Sequence, residues 1–398
     1  MGSEHHIAGR YGRFGGRYVP EALWAPVEQV ARAFDDAIAD PEFVATFERW
    51  LDHRVGRPTP LSRLERISAR GGGRVWLKRE DLCQGGSYCV NSATLQALLA
   101  HRMGKRGVIC ETGTGDFGVA LGSVGAALGL DVTVYMGRED MQTERGRVAH
   151  MRRLGVRVEQ VDAPHRGRRE ATAEAMRHWM SASERVMYCA SSLASPDPYP
   201  RLIEWALRTI GAEARVQLRR RGHAAAYVIA PVGSGALAAG MFSEFLADPG
   251  VRLIGVQAGG EPVAGRHSAS LISGRPGVVQ GTFSYALQDP TGQILTPHSI
   301  AGGMCLPVVG PQHARWAEEG AVLYASMSDR EAVEAVCTLA DQEGLLLSLE
   351  TGHALAYALR LLTTLEDGED VLVVSSGGGD HDLLRLEAAA ESLLEHEP

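Results

Sequence analysis

Short runs rich in β-branched residues, each followed by a segment long enough for a helix, alternate through most of this 398-residue chain. Strands are predicted near Val75–Lys78, Gly107–Glu111, Val132–Met136, Val156–Val161, Val186–Ala190, Ala226–Pro231, Leu253–Gln257 and Val371–Ser375. Such alternation implies an α/β fold with mainly parallel sheets and crossover helices. In sheets of that kind ligands sit beyond the carboxyl ends of the strands, where glycine turns let them approach the backbone. Three strand ends carry such turns: E-T-G-T-G-D-F-G at 111–118, P-V-G-S-G-A at 231–236 and S-S-G-G-G-D-H-D at 375–382. Upstream, one long helical segment is expected to about Arg54, followed by the proline-stiffened entry R-P-T-P-L at 57–61.

A chain this long exceeds one typical domain, so two lobes packed as one globule are expected. Hydrophobic residues make up 45% of it, enough for a large core. No run of eighteen apolar residues occurs, and Met1 to Arg10 lacks the apolar stretch of a signal peptide, so a cytoplasmic protein without membrane spans is expected. A net charge of -8 argues against nucleic acid as a partner. Cys83, Cys89, Cys110, Cys189, Cys305 and Cys337 show no C-x-x-C spacing, so neither a metal site nor a disulfide framework is expected.

The stretch from Trp76 to Ala93, W-L-K-R-E-D-L-C-Q-G-G-S-Y-C-V-N-S-A, reads as a strand, a Gly-Gly turn and a helix start. That junction aims backbone N–H groups and a helix dipole at whatever lies before it. The stretch resembles the tryptophan synthase beta subunit, a pyridoxal-phosphate enzyme of fold type II. The likeness runs from about Tyr11 to Asp382 and includes Y-G-R-F-G-G-R-Y-V-P-E-A-L-W at 11–24, M-G-R-E-D-M at 136–141, R-L-I-G-V-Q-A at 252–258, V-G-P-Q-H-A at 309–314 and H-A-L-A-Y-A-L at 353–359. It implies an N-terminal lobe at 1–205 with a mobile subdomain at about 100–190, a C-terminal lobe at 206–398, and an active site in the cleft between them.

In that family an H-K pair follows the two glycines, and its lysine forms the Schiff base with the cofactor. Here the pair is Tyr88-Cys89. The sequence has only two lysines, Lys78 and Lys105, and both match segments where the family carries lysine in addition to the Schiff-base residue. No covalent pyridoxal phosphate is therefore expected, and no cofactor is assigned, with non-covalent binding left open.

Other site residues follow from the resemblance. Glu111 matches the acid/base glutamate. Thr112, Gly113, Thr114 and Gly115 form the loop that grips the substrate carboxylate, but its Gln-His pair is replaced by Asp116 and Phe117. A second carboxylate there disfavours an α-amino acid in the family pose unless a proton or cation intervenes. Gly233, Ser234, Gly235, Ala236 and Leu237 match the phosphate cradle, with its last two side-chain donors gone. Ser376 matches the serine that meets the pyridine nitrogen, Glu350 a residue lining the cofactor, and Cys305 an aspartate that closes over the substrate. Cys89 has two readings, a buried packing thiol or a nucleophile whose pKa the helix dipole lowers.

These departures all face one pocket, whereas random decay would strike the scaffold as well. The leading expectation is a retooled enzyme that works without pyridoxal phosphate. It would act by acid/base catalysis on a small aromatic or indole-derived molecule, forming a C–C bond, cyclising, eliminating or isomerising, in specialised metabolism. Alternatives are a non-catalytic partner, whose pocket Phe117 and Leu237 would fill, and an enzyme holding pyridoxal phosphate non-covalently. The resemblance also implies a homodimer and leaves an alpha-type subunit open.

Overall fold

The computed structural model describes residues 9–162, 168–261 and 265–394. Most of the N-terminal stretch read above for a signal peptide lies outside them.

Val371 to Val374 are all fully buried, as are Val228 to Ala230, because these strands lie in the middle of a sheet covered on both faces. That sheet has six strands in the order Leu323–Ser328, Arg252–Gly260, Ala225–Pro231, Asp370–Val374, Arg74–Lys78 and Leu61–Arg63. Its neighbours run parallel except the last pair, in which Leu61–Arg63 is antiparallel to Arg74–Lys78. A second sheet is wholly parallel, in the order Arg157–Val161, Asp131–Gly137, Gly107–Glu111 and Val186–Tyr188. Helices pack around both. The longest, Tyr199–Arg220, buries Leu202, Ile203, Ala206, Leu207, Ile210, Ala214 and Leu218, the 3–4 spacing that turns one face to the core.

All eight expected strands are present, Gly107–Glu111 with the expected bounds and the others with their ends shifted by one to three residues. Three features were not expected. Arg10–Tyr11, Phe14–Gly15, Thr282–Ala286 and Arg275–Val279 make a small antiparallel sheet, and Leu61–Arg63 and Leu323–Ser328 edge the large one. Arg10–Tyr11, Phe14–Gly15 and Leu61–Arg63 are too short to show alternation, T-F-S-Y-A at 282–286 buries its small residues rather than its aromatic ones, and L-Y-A-S-M-S at 323–328 has no β-branched residue. The long helical segment is two helices, Glu21–Ala39 and Pro41–Trp50. Asp40 breaks it by accepting the Glu42 N–H, with Pro41 at the first helical position, where a missing N–H costs nothing.

The expected division at residue 205 does not follow the sheets. Arg74–Lys78 and Leu61–Arg63 come from before it and complete a sheet whose other four strands come after it. The carboxyl ends of Gly107–Glu111, Ala225–Pro231 and Asp370–Val374 lead directly into the three glycine turns, and these meet around one cavity. Among the described residues no helix is long and apolar enough to cross a membrane.

Candidate active site

The cavity holds about 90 Å³ of free space. Tyr88, Cys89, Thr112, Thr114, Asp116 and Phe117 line one side, and Gly233 to Leu237, Glu350 and Ser376 line the other. Phe117 and Leu237 narrow it without filling it; each is only 3% exposed. Gly113 and Gly115 shape the loop from behind. Gly115 sits at φ 84° ahead of the helix Asp116–Leu128, and its N–H donates to Thr112 Oγ1 at 3.0 Å.

Glu111 ends its strand one layer behind the cavity wall, where Thr112 and Ser191 stand in front of it. It is 2% exposed. Tyr188 OH donates to Oε2 at 2.6 Å and Ser191 Oγ donates to Oε1 at 3.2 Å. Burial raises the carboxyl pKa, opposed by nearby Arg168 and by these hydrogen bonds. Arg168 also donates to Ser191 Oγ. The carboxyl thus reaches the cavity through a hydroxyl rather than directly.

Cys89 begins the helix Cys89–Arg102. Its thiol is pushed up to about 12, first by burial and then by the Asp116 carboxylate. Burial and the Asp116 carboxylate act against the nucleophile reading of Cys89 and favour the packing one. Asp116 also differs from its reading. Arg147, 4% exposed, is ion-paired with it and donates to Gly85 O at 3.2 Å. The cation needed to tolerate Asp116 beside an anionic ligand is built in, and the guanidinium Nε has no hydrogen-bond partner.

The loop after Pro231 turns at Gly235, with φ +91°. A Cβ there would lie 2.1 Å from the His313 ring, so only glycine fits. His313 Nε2 donates to Gly235 O at 2.8 Å, and its Nδ1 accepts from Tyr324 OH at 2.7 Å. Burial lowers the His313 pKa to about 4, which keeps the ring neutral behind the loop.

A carboxyl cluster forms the remaining wall. Glu350 Oε1 accepts the Gly303 N–H at 2.8 Å, and Asp382 accepts the Leu349 N–H at 2.9 Å. Burial pushes Glu350 up to about 7, helped by the neighbouring Asp382 charge, and burial also pushes Glu144 up to about 7. Arg385 lies between Glu144 at 2.8 Å and Asp382 at 2.7 Å. Ser376 Oγ is bound to Ser348 Oγ at 2.7 Å and Thr351 Oγ1 at 3.2 Å. Cys305 is not on the wall. Its sulfur accepts the Ser299 N–H at 3.0 Å and bonds Ser299 O at 3.3 Å, which turns it into the loop.

Sequence reasoning missed Arg147, Arg168, Ser191, Glu144, Asp382 and Arg385. Ser191 lies three residues past the strand Val186–Tyr188, so the strand-end rule applied to that strand points to it. The arginines arrive from helices distant in sequence, and no local pattern marks them.

Pyridoxal phosphate bound as an imine requires an amine, and the wall has none. Lys78 Nζ is held by Glu213 at 2.6 Å, Thr59 O at 2.8 Å and Gln217 at 3.1 Å. Lys105 Nζ is held by Gln29 and Ser183 O. The donor set therefore does not fit an imine-bound cofactor. It does keep backbone N–H groups at the first turn of the helix Ala236–Phe242 and a hydroxyl at Ser376.

Residues 54–377 match the family model described as pyridoxal-phosphate dependent enzyme. The tryptophan synthase beta chain of Xanthomonas campestris pv. campestris (strain B100) is 42% identical over 390 residues, covering 97% of this chain and 96% of that one. The beta chain of Xanthomonas oryzae pv. oryzae (strain PXO99A) is 42% identical over 389 residues, with the same coverage. Among solved structures, O-ureido-L-serine synthase superposes with a TM-score of 0.64 at 19% identity, over 84% of this chain and 92% of that one, a likeness of fold alone. With those relatives the fold type II reading holds, and their family is one that uses pyridoxal phosphate, which gives no support to the expectation of a cofactor-free protein. The chain belongs to the pyridoxal-phosphate dependent enzymes, in the tryptophan synthase beta chain family.

Proposed function

We propose that this chain is a tryptophan synthase beta-like enzyme that moves protons on a small aromatic or indole-derived molecule without pyridoxal phosphate. One observation carries the reading: a buried Glu111, whose pKa burial raises, is wired through Ser191 to a cavity whose wall has no amine. As base, Glu111 takes the Ser191 hydroxyl proton onto Oε1 while Ser191 Oγ takes a proton from the substrate. As acid, the two transfers reverse. Tyr188 stabilises the carboxylate form and burial the protonated form, the two opposing influences on its proton. The Arg147 guanidinium and the N–H groups of the glycine turns, all on the cavity wall, would stabilise negative charge that develops on the substrate. Elimination and isomerisation need only these parts.

The test is solvent exchange and turnover with indole-type molecules in D₂O, followed by NMR and mass spectrometry without added pyridoxal phosphate. Deuterium uptake or product formation is expected, and Glu111→Gln lowers it by about 100-fold or more. Formation of tryptophan from serine and indole, or turnover indifferent to Glu111→Gln, overturns the reading.

A second reading has its own support: family membership, with the glycine turn and Ser376 on the same wall. In it pyridoxal phosphate binds non-covalently, its phosphate at the first turn of the helix Ala236–Phe242 and its ring nitrogen at Ser376. When bound, the cofactor would supply an electron sink for carbanions. Equilibrium dialysis separates the two. Uptake of pyridoxal phosphate that borohydride does not fix to the protein, with turnover only in its presence, favours the second.

A further inference from the structure

The charges on the cavity wall do not all cancel. Arg147 is ion-paired with Asp116, and Arg385 lies among the acids, 2.8 Å from Glu144 and 2.7 Å from Asp382. Glu350 belongs to the same group, within reach of the Arg385 and Asp382 charges. Desolvation and then Arg147 lower the His381 pKa, so that ring is neutral at pH 7 and above. Arg168 is left. Among the described residues it is the one cation of the wall with no carboxylate in ion-pair contact. Its neighbours offer no anion: burial raises the pKa of Tyr88 and of Cys89, which keeps both neutral. The Glu111 carboxyl is reached only through Ser191, whose Oγ accepts from Arg168 and donates to Glu111 Oε1 at 3.2 Å. A half-buried guanidinium without a counter-ion is costly. Of its five N–H donors, only the one on Ser191 has a partner among the described residues.

We propose that Arg168 is an anion-binding residue and that the substrate of this cavity is a carboxylic acid, whose carboxylate the unused guanidinium donors grip beside Ser191. The planar guanidinium matches a carboxylate with two parallel N–H bonds. This subsite is separate from the loop Thr112–Asp116, where Arg147 is already committed to Asp116. An acid held by Arg168 brings the atoms next to its carboxylate up to Ser191, so the transferred proton is one adjacent to the acid group. The guanidinium then offsets the negative charge that deprotonation beside a carboxylate develops. This inference rests on the reading of the cavity as a proton-transfer site and names the class of molecule that site takes.

Isothermal titration of the full-length protein with indole-3-acetate and its neutral counterpart indole-3-acetamide, at neutral pH, tests it. The acid is expected to bind about tenfold tighter than the amide. Arg168→Gln is expected to erase that preference by weakening the acid alone. Arg169→Gln makes the same charge change on the adjacent residue, which lines a different surface groove, and is expected to keep the preference. Equal binding of acid and amide by the wild type, a preference that survives Arg168→Gln, an equal loss in Arg169→Gln, or no binding of either compound at about 10 mM overturns the proposal. Circular dichroism reports whether Arg168→Gln folds. If it does not, Arg168→Lys decides: it keeps the charge but loses the fork, and is expected to cut the preference to about threefold, whereas an unchanged preference overturns the assignment. The readout needs no turnover. Acid preference without deuterium exchange would remove the proton-transfer reading and leave this one, and exchange without acid preference would do the reverse.

Discussion

Asp116 shows how far a side chain's meaning depends on a partner that the local sequence does not reveal. Read alone, it sets a negative charge where the family binds a carboxylate; beside Arg147 it becomes half of an ion pair. Glu111 was legible, because its strand and glycine turn mark it, but its distance from the cavity was not. That depends on Ser191, delivered by another strand. The hydrogen bond from Tyr188 lowers the carboxyl pKa, so Tyr188→Phe removes a stabiliser of the ionised form. The pH profile of deuterium exchange is expected to move up by about one unit in that variant, with the circular dichroism spectrum unchanged. An unmoved profile would mean that Glu111 is not the titrating group.

Among the elements, the parallel strands were readable because each is a continuous apolar run bounded by a turn, as in V-L-V-V at 371–374. The break at Asp40-Pro41 carried a helix-start signal as well, an N-cap side chain followed by proline. The antiparallel sheet was not readable, since Arg10–Tyr11 and Phe14–Gly15 acquire their identity only from pairing with each other and with Phe283. Lys78 ties elements together. Its strand is joined to the helix Tyr199–Arg220 through Glu213 and Gln217, while Arg57 bridges Glu213 to Glu80 at 2.8 Å on each side. Lys78 does not line the cavity, and its Nζ is committed to Glu213, Gln217 and Thr59 O. Lys78→Met is therefore expected to cost about 3 kcal/mol in urea unfolding, by leaving the partly buried Glu213 with one cation fewer. Any uptake of pyridoxal phosphate should be the same in that variant as in the wild type.

For the molecule as a whole, the acids around the cavity set the pH dependence of stability. Glu350 and Glu144 hold their protons up to about 7 when folded, against an ordinary 4.5. The folded state therefore binds more protons than the unfolded one between those values, and stability falls as pH rises through that window. Glu80 and Asp370 are held below their ordinary values by Arg57 and Arg74 against the cost of burial, so their contribution is lost as pH falls below about 4. The melting temperature is expected to be lower at pH 8 than at pH 6 by about 2–4 °C, and Glu350→Gln to flatten that slope. Differential scanning fluorimetry across pH reads both.

The interleaving of the large sheet has a consequence for how this chain can be divided. Severing the backbone near residue 205 would strip the later fragment of Arg74–Lys78 and leave Asp370–Val374 as a bare, apolar edge that invites pairing with any passing strand. Expressed together, the two pieces have complementary surfaces and every reason to reunite; apart, neither owns a finished interior. Evolution could lengthen loops on this scaffold freely, but it could not detach one half and use it elsewhere.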